Sequence, residues 1–350
     1  MRPFGAAQVE ITSRCATGCL FCPHDALSDA WVEGDMRAET YREYIVPHLE
    51  LFDLVYLQGW GEPMLHPRLW EMLDISQKKG CRTGFTTNGA RLEGEQNEKL
   101  LDMGVDLLSI SFAGAAATIH ESLRTHSDYD LLCANFESLA NLRARRGCKK
   151  PWLELHFLMT RANLAELPAV VELAASLGAD EVAATNLTYS PSLALDRSHV
   201  FGKEPLPEHL EIIARARQTA ERLKIPLRIY PLQTEPDTLV CDADPIHTVY
   251  INHCGEVCPC VYLGLSVRGS IPRYFQGEAH PFEPVSFGNV RDGFLQALYG
   301  ETRQHFLEPF NRRNASRGAL AALAYLTGEH TGELPALPAS CQFCYKMLGI

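Results

Sequence analysis

The chain has 350 residues, 46% hydrophobic and 21% charged, the balance of an ordinary globular protein. Its formal net charge is −11, and its one dense basic patch (Arg143, Arg145, Arg146, Lys149, Lys150) reads as a solvated helix end, so nucleic acid is not expected as the main partner. No run approaches the roughly 18 apolar residues of a membrane span, and the opening MRPFGAAQVEITSRC lacks the pattern of a secretory leader; a cytoplasmic protein with no membrane partner is expected.

Strand-type stretches are expected at 7–13, 54–58, 83–87, 107–112, 153–159 and 181–186. Between and after them, helical periodicity marks 38–50, 67–79, 95–103, 130–146, 163–177 and 207–223, with Pro67 suited to a helix start and Gly80 and Gly104 to helix stops. Six strand–helix units in succession imply an α/β fold: a parallel sheet closed or partly closed into a (β/α)6 barrel, or a doubly wound open sheet. Beyond about 225 the rhythm breaks at prolines 226, 231, 236 and 245. Short strand-like pieces at 227–230 and 248–251, a Gly- and Pro-rich loop at 265–284 and a helical stretch at 291–307 follow. The division is placed near 235, giving domains 1–235 and 236–350.

Twelve cysteines in a reducing compartment do not form a disulfide framework. Nine lie in two groups: Cys15, Cys19 and Cys22, then Cys241, Cys254, Cys258, Cys260, Cys341 and Cys344. Cys81, Cys133 and Cys148 stand apart and read as structural thiols. Such clustering points to metal. Three thiolates on one tight loop cannot complete a tetrahedral structural zinc site by themselves. They can hold three irons of a [4Fe–4S] cluster and leave the fourth open, which suits a reactive rather than a structural role. A zinc loop borrowing a distant ligand is the alternative.

Cys15-x3-Cys19-x-Phe21-Cys22 resembles the signature of the radical S-adenosylmethionine (SAM) superfamily, in which an aromatic residue precedes the last cysteine. The resemblance covers roughly residues 7–190. It implies that the open iron chelates the methionine moiety of SAM, whose reductive cleavage yields a 5′-deoxyadenosyl radical. Gly61-Glu62-Pro63, after the second strand, is similar to the GGEP motif that binds the cofactor's amino group, with Trp60 replacing one glycine. Thr87-Asn88-Gly89 resembles the family's TNG turn. By the same resemblance Ser111 would contact the cofactor's ribose or carboxylate, Arg124 its carboxylate, and Asn186 its ribose or adenine. All but Arg124 fall at or near the C-terminal ends of expected strands, the face on which parallel barrels build their sites.

The far cysteines resemble the SPASM or shorter twitch extension of these enzymes, an α+β region carrying auxiliary clusters. Cys241-x13-Gly255-x4-Cys260 meets its spacing, and Phe287-Gly288-Asn289-Val290 is similar to its GN turn. The resemblance implies that Cys241, Cys260, Cys341 and Cys344 hold one auxiliary [4Fe–4S] cluster, with Cys254 and Cys258 off the irons; a four-cysteine zinc site is the alternative. The QGWGEP stretch also resembles that of maturases of tungsten-enzyme cofactors.

The expected activity is therefore hydrogen abstraction from a small-molecule, peptide or protein-borne substrate, with net oxidation and the auxiliary cluster taking an electron. A flavodoxin or ferredoxin is the expected reductant. A non-enzymatic iron–sulfur carrier or zinc adaptor is the rival, but it needs neither an open iron nor a methionine pocket. Tyr189, Asp242, Asp244, His247 and His253 are the nearest candidates for an acid or base, and no choice among them follows from sequence.

Overall fold

The computed structural model describes residues 2–327 and 334–350, the side chains of 317–327 excepted. One sheet contains nine strands: β1 Phe4–Val9, β2 Phe52–Tyr56, β3 Arg82–Thr87, β4 Leu107–Phe112, β5 Trp152–Met159, β6 Glu181–Asn186, β7 Leu227–Ile229, β8 Thr248–Ile251 and β9 Val257–Cys258. Their order is β9-β8-β1-β2-β3-β4-β5-β6-β7, parallel throughout except for the β8–β9 hairpin.

Alternation along the strands makes the sheet curl around a polar interior. In β4, Leu107, Ser109 and Ser111 face one cavity, while Leu108, Ile110 and Phe112 are buried on the other side. In β5, Glu154, His156 and Leu158 face the same cavity, and Leu155, Phe157 and Met159 lie in the outer core. Side chains from β1 (Gln8), β2 (Tyr56) and β8 (Tyr250) meet them there, so the parallel strands form a partial barrel. The outer face is sealed by helices with apolar stripes of period 3.6. Helix α1, Leu69–Lys78, buries Leu69, Met72 and Leu73. Three more helices between strands are α2 Gly94–Met103, α3 Tyr129–Arg145 and α4 Leu167–Leu177, of which α4 buries Leu167, Val170, Val171 and Ala174. After β6, α5 Pro207–Leu223 packs beside α4.

The expected strands 107–112, 181–186 and 248–251 and the helix 207–223 stand where the sequence puts them. The second strand runs Phe52–Tyr56 rather than 54–58, the stretch 38–50 is a short α turn followed by π- and 3-10-helical turns, and three further details differ. The first strand ends at Val9, and the residues after it are drawn away by the segment 31–36: the Ser13 N–H bonds to the Gly34 carbonyl at 2.9 Å, and the Ser13 hydroxyl to that of Val32 at 2.9 Å. The stretch at 291–307 is two helices, α6 Val290–Tyr299 and α7 Glu301–Thr327, parted at Gly300, whose backbone is extended. The segment 265–284 contains a two-stranded hairpin, Tyr274–Phe275 with Glu278–Ala279, turning through Gln276 and Gly277 at positive φ. No described helix is long and apolar enough to cross a membrane.

Candidate functional site

The barrel interior is a cavity of about 710 Å³ that opens among the loops following β1, β2, β3 and β6. Cys15, Cys19, Phe21 and Cys22 form part of its wall. Their loop is held by a short antiparallel bridge in which Gly18–Cys19 pairs with Arg124–Thr125. Thr125 Oγ1 donates to the Gly18 carbonyl at 2.7 Å, and Leu20 N–H to that of Leu123 at 3.0 Å. This bridge explains Arg124, the one candidate that no strand end positions. It is 92% buried, its guanidinium carbon lies 5.5 Å from the Phe21 ring centre, and its Nε has no hydrogen-bond partner. A buried guanidinium with an unmatched donor facing this cavity wants an anionic ligand such as a carboxylate. Burial pushes the Cys15 and Cys22 thiols up, and each is raised further by neighbouring cysteines of the set. Among the described residues no three His, Cys, Asp or Glu side chains converge closely enough for a single metal ion.

Glu62 caps a short 3-10 turn, Pro63–Leu65, by accepting the Met64 N–H at 3.0 Å. It also accepts the Thr87 hydroxyl at 2.8 Å and the Asn88 N–H at 2.7 Å, so the loops after β2 and β3 are locked together by one carboxylate. Burial pushes its pKa up, against these three donors. Asn88 Nδ2 then reaches Thr17 Oγ1 at 3.0 Å, joining this pair of loops to the cysteine loop. Gly61 must be glycine, since a Cβ there would lie 2.2 Å from the Thr12 carbonyl oxygen. Ser111 and Asn186 line the same cavity; Asn186 donates to the Pro231 carbonyl at 2.8 Å and leaves its buried Oδ1 without a partner. Pro63 is buried behind the loop and does not reach the cavity.

Across the cavity stands Cys260, followed by Val261 and Tyr262. Cys241, Cys341 and Cys344 lie behind it in an apolar pocket with Leu263, Leu307, Phe310 and Met347. Burial pushes Cys241 up to about 12 and Cys260 to about 11, and the other thiols of the set add to both. Four thiols in one apolar cluster, Cys341 buried and the other three half-buried, are a donor set that suits a closed, thiolate-held multi-metal cluster rather than a single ion. Cys254 is exposed at the hairpin tip, and Cys258 is buried with its thiol toward the Glu256 carbonyl. The GN turn braces that hairpin: Asn289 caps α6 and donates to Glu256 Oε1 at 2.7 Å, with Gly255 at φ +91° beneath it.

Several cavity residues carry no sequence signal. At the β-strand N-terminal end, Glu154 accepts from Ser109 at 2.7 Å and from Arg228 at 2.6 Å. Burial, with Arg124 and Arg228 adding to it, lowers His156 to about 4; its Nε2 lies 2.9 Å from Thr185 Oγ1. At the opposite end Lys346 donates to both Asp242 oxygens at 2.7 Å and lies 5.6 Å from the Tyr262 ring. Of the acid–base candidates, Tyr189 and Asp242 line the cavity, whereas Asp244, His247 and His253 do not.

Residues 9–174 match the model of the Radical SAM superfamily. The chain carries a radical SAM domain. It is 29% identical over 299 residues to the tungsten-containing aldehyde ferredoxin oxidoreductase cofactor-modifying protein of Pyrococcus furiosus, covering 84% of this chain and 80% of that protein. It is 28% identical over 171 residues to the AdoMet-dependent heme synthase of Methanosarcina barkeri, and spans 47% of that protein. In fold it resembles Streptococcus suis SuiB bound to S-adenosylmethionine, with a TM-score of 0.62 and 13% identity over 85% of this chain and 66% of that one. A radical SAM domain works with a [4Fe–4S] cluster and SAM, and the partial barrel expected from the strand–helix rhythm is the fold found.

Proposed function

We propose that Cys15, Cys19 and Cys22 hold the [4Fe–4S] cluster by three irons, and that SAM lies in the cavity against Phe21, Gly61, Glu62, Thr87, Asn88, Ser111, Arg124 and Asn186, with Pro63 shaping the loop from behind. The observation that carries this reading is that one cavity is walled by the three thiols, a buried carboxylate and a buried guanidinium with an unpaired Nε. When bound, cluster and cofactor together supply a 5′-deoxyadenosyl radical that abstracts hydrogen. The chain's own residues do the rest. Glu62 accepts from the cofactor's ammonium, Arg124 pairs with its carboxylate, and the Gly61 backbone allows the close approach.

The region 236–350, whose strands β8 and β9 continue the barrel's sheet rather than starting a separate one, then carries one auxiliary [4Fe–4S] cluster on Cys241, Cys260, Cys341 and Cys344. Its place across the cavity supports a net oxidation in which that cluster takes the electron, with a cytoplasmic flavodoxin or ferredoxin as reductant. The substrate is small, peptidic or protein-borne; the likeness to a cofactor-modifying protein supports maturation of a cofactor. Iron-loaded protein given dithionite and SAM without substrate should form 5′-deoxyadenosine slowly. Iron-loaded protein that binds SAM and forms none would end this reading.

A further inference from the structure

Among the described cysteines only Cys254 is exposed, and it does not stand alone. It sits at the tip of the β8–β9 hairpin, where Asn289 Nδ2 donates to its carbonyl at 3.1 Å and fixes the tip. Its Sγ lies 3.4 Å from His253 Nε2. The other ring nitrogen, Nδ1, lies 3.1 Å from Glu10 Oε2, and the His253 backbone N–H donates to that same oxygen at 3.3 Å. Glu10 is wholly buried just past the end of β1, and His253 is its one ion-pair partner among the described residues. A carboxylate so buried needs a counter-charge, and the imidazole provides it. Burial alone would lower His253, but its bonds to Cys254 and Glu10 carry it up to about 9.

The order thiol, imidazole, buried carboxylate is that of an assisted nucleophile: a reactive atom within reach of a proton-carrying ring, and the ring oriented by a third group. None of the three lines the barrel cavity. We propose that Cys254, with His253 and Glu10 behind it, is a reactive thiol that takes low-molecular-weight disulfides by exchange. The Cys254 sulfur attacks one sulfur of R–S–S–R, a Cys254–S–S–R bond forms, and the original S–S bond breaks. The Cys254 thiol gives its proton to solvent, and the charged His253 ring supplies one from Nε2 to the leaving R–S⁻, which departs as R–SH; the ring then regains a proton from solvent, and Glu10 stays ionised and holds it throughout. The small disulfide is the oxidant, so no other co-reactant is needed. Glu10 uses its second oxygen to accept the Trp60 N–H at 2.9 Å, so this site and the glycine loop at the cavity share one buried anchor.

The test uses iron-loaded protein, kept free of oxygen and treated with oxidised glutathione, with the modified cysteine located by peptide mass mapping. Cys254 should be glutathionylated first, and Cys254→Ser should remove that modification. His253→Gln should slow it about 100-fold, the low end of what a positioned acid–base side chain contributes. Because that variant strands the Glu10 charge, the double variant Glu10→Gln/His253→Gln removes both charges together and should show the same slowing. First reaction at Cys133 or Cys148, an unmodified Cys254, or a wild-type rate in the double variant would each overturn the proposal.

Discussion

Cys15, Cys19 and Cys22 occupy one loop after β1, and an antiparallel bridge to Arg124–Thr125 and the Asn88–Thr17 bond hold that loop. Cys241, Cys260, Cys341 and Cys344 come instead from three separate stretches, and meet in one apolar cluster with Leu263, Leu307, Phe310 and Met347. A local loop can offer its thiols whenever the strand before it is formed. A set assembled from distant segments exists only while the surrounding core is folded, so its metal and its fold should stabilise each other. The first set should therefore tolerate loss of the second far better than the second tolerates loss of its own core.

The largest expected effect breaks the comparison at its simpler end. A triple Cys15/Cys19/Cys22→Ala variant should form no 5′-deoxyadenosine, and its iron should fall from about eight to about four per chain, one [4Fe–4S] cluster's worth. Equal loss of iron from both sites, by iron assay and absorbance, would show that the two sets are not independent. Next comes Cys344→Ala. It should empty the far site and cost on the order of 3 kcal/mol there, the upper end for a single residue. Thermal unfolding and limited proteolysis would read that cost, while slow cofactor cleavage at the first set survives in part. Full retention of four far irons in Cys344→Ala would remove this residue from the ligand set.

A smaller effect belongs to the first site alone. If Glu62 holds the cofactor's ammonium as proposed, Glu62→Ala should cost roughly 1.5–3 kcal/mol, or about a tenfold to 150-fold weaker affinity for SAM. The carboxylate also caps the Pro63–Leu65 turn and holds Asn88 N–H, so Glu62→Gln, which keeps one acceptor oxygen, should fall between wild type and Ala. Unchanged SAM affinity in both variants, by calorimetry on iron-loaded protein, would rule out the assigned contact.

The contrast also explains what could be read from sequence. Strand and helix periods carry local information, so β4, β6 and α5 stand at their expected residues. Motifs at strand ends, such as Gly61-Glu62 and Thr87-Asn88, inherit that precision. Arg124 does not, because a two-residue bridge leaves no periodic trace. Neither do the pairs Glu154–Arg228 and Asp242–Lys346, which are 74 and 104 positions apart and have no local signature. The same is true of β8, whose four residues read as a strand but give no hint that they pair with β1. Gly300 gives no clear stop signal, because one glycine inside an apolar period is ambiguous.

The smallest predicted effect tests whether the two regions communicate at all. Trp60 departs from the motif that the sequence resembles, and the structure gives the substitution a physical role. Its backbone N–H is held by Glu10, and its indole Nε1 donates to the Val261 carbonyl at 3.0 Å, one residue beyond Cys260. The ring also meets Tyr262 edge-on at 5.6 Å. One side chain thus joins the loop of the first site to the segment of the second. Trp60→Phe keeps an aromatic ring against Tyr262 and removes only the N–H, at a cost of about 0.5–1.5 kcal/mol. If the indole bond couples the regions, that cost should divide between them, as faster amide exchange across 257–262 and a few-fold weaker SAM affinity in the same variant. A change confined to 257–262 would make Trp60 a brace for the far segment alone. No change in either readout would mean that the bond is idle and that the first cysteine set and Cys260 share a cavity without sharing energy.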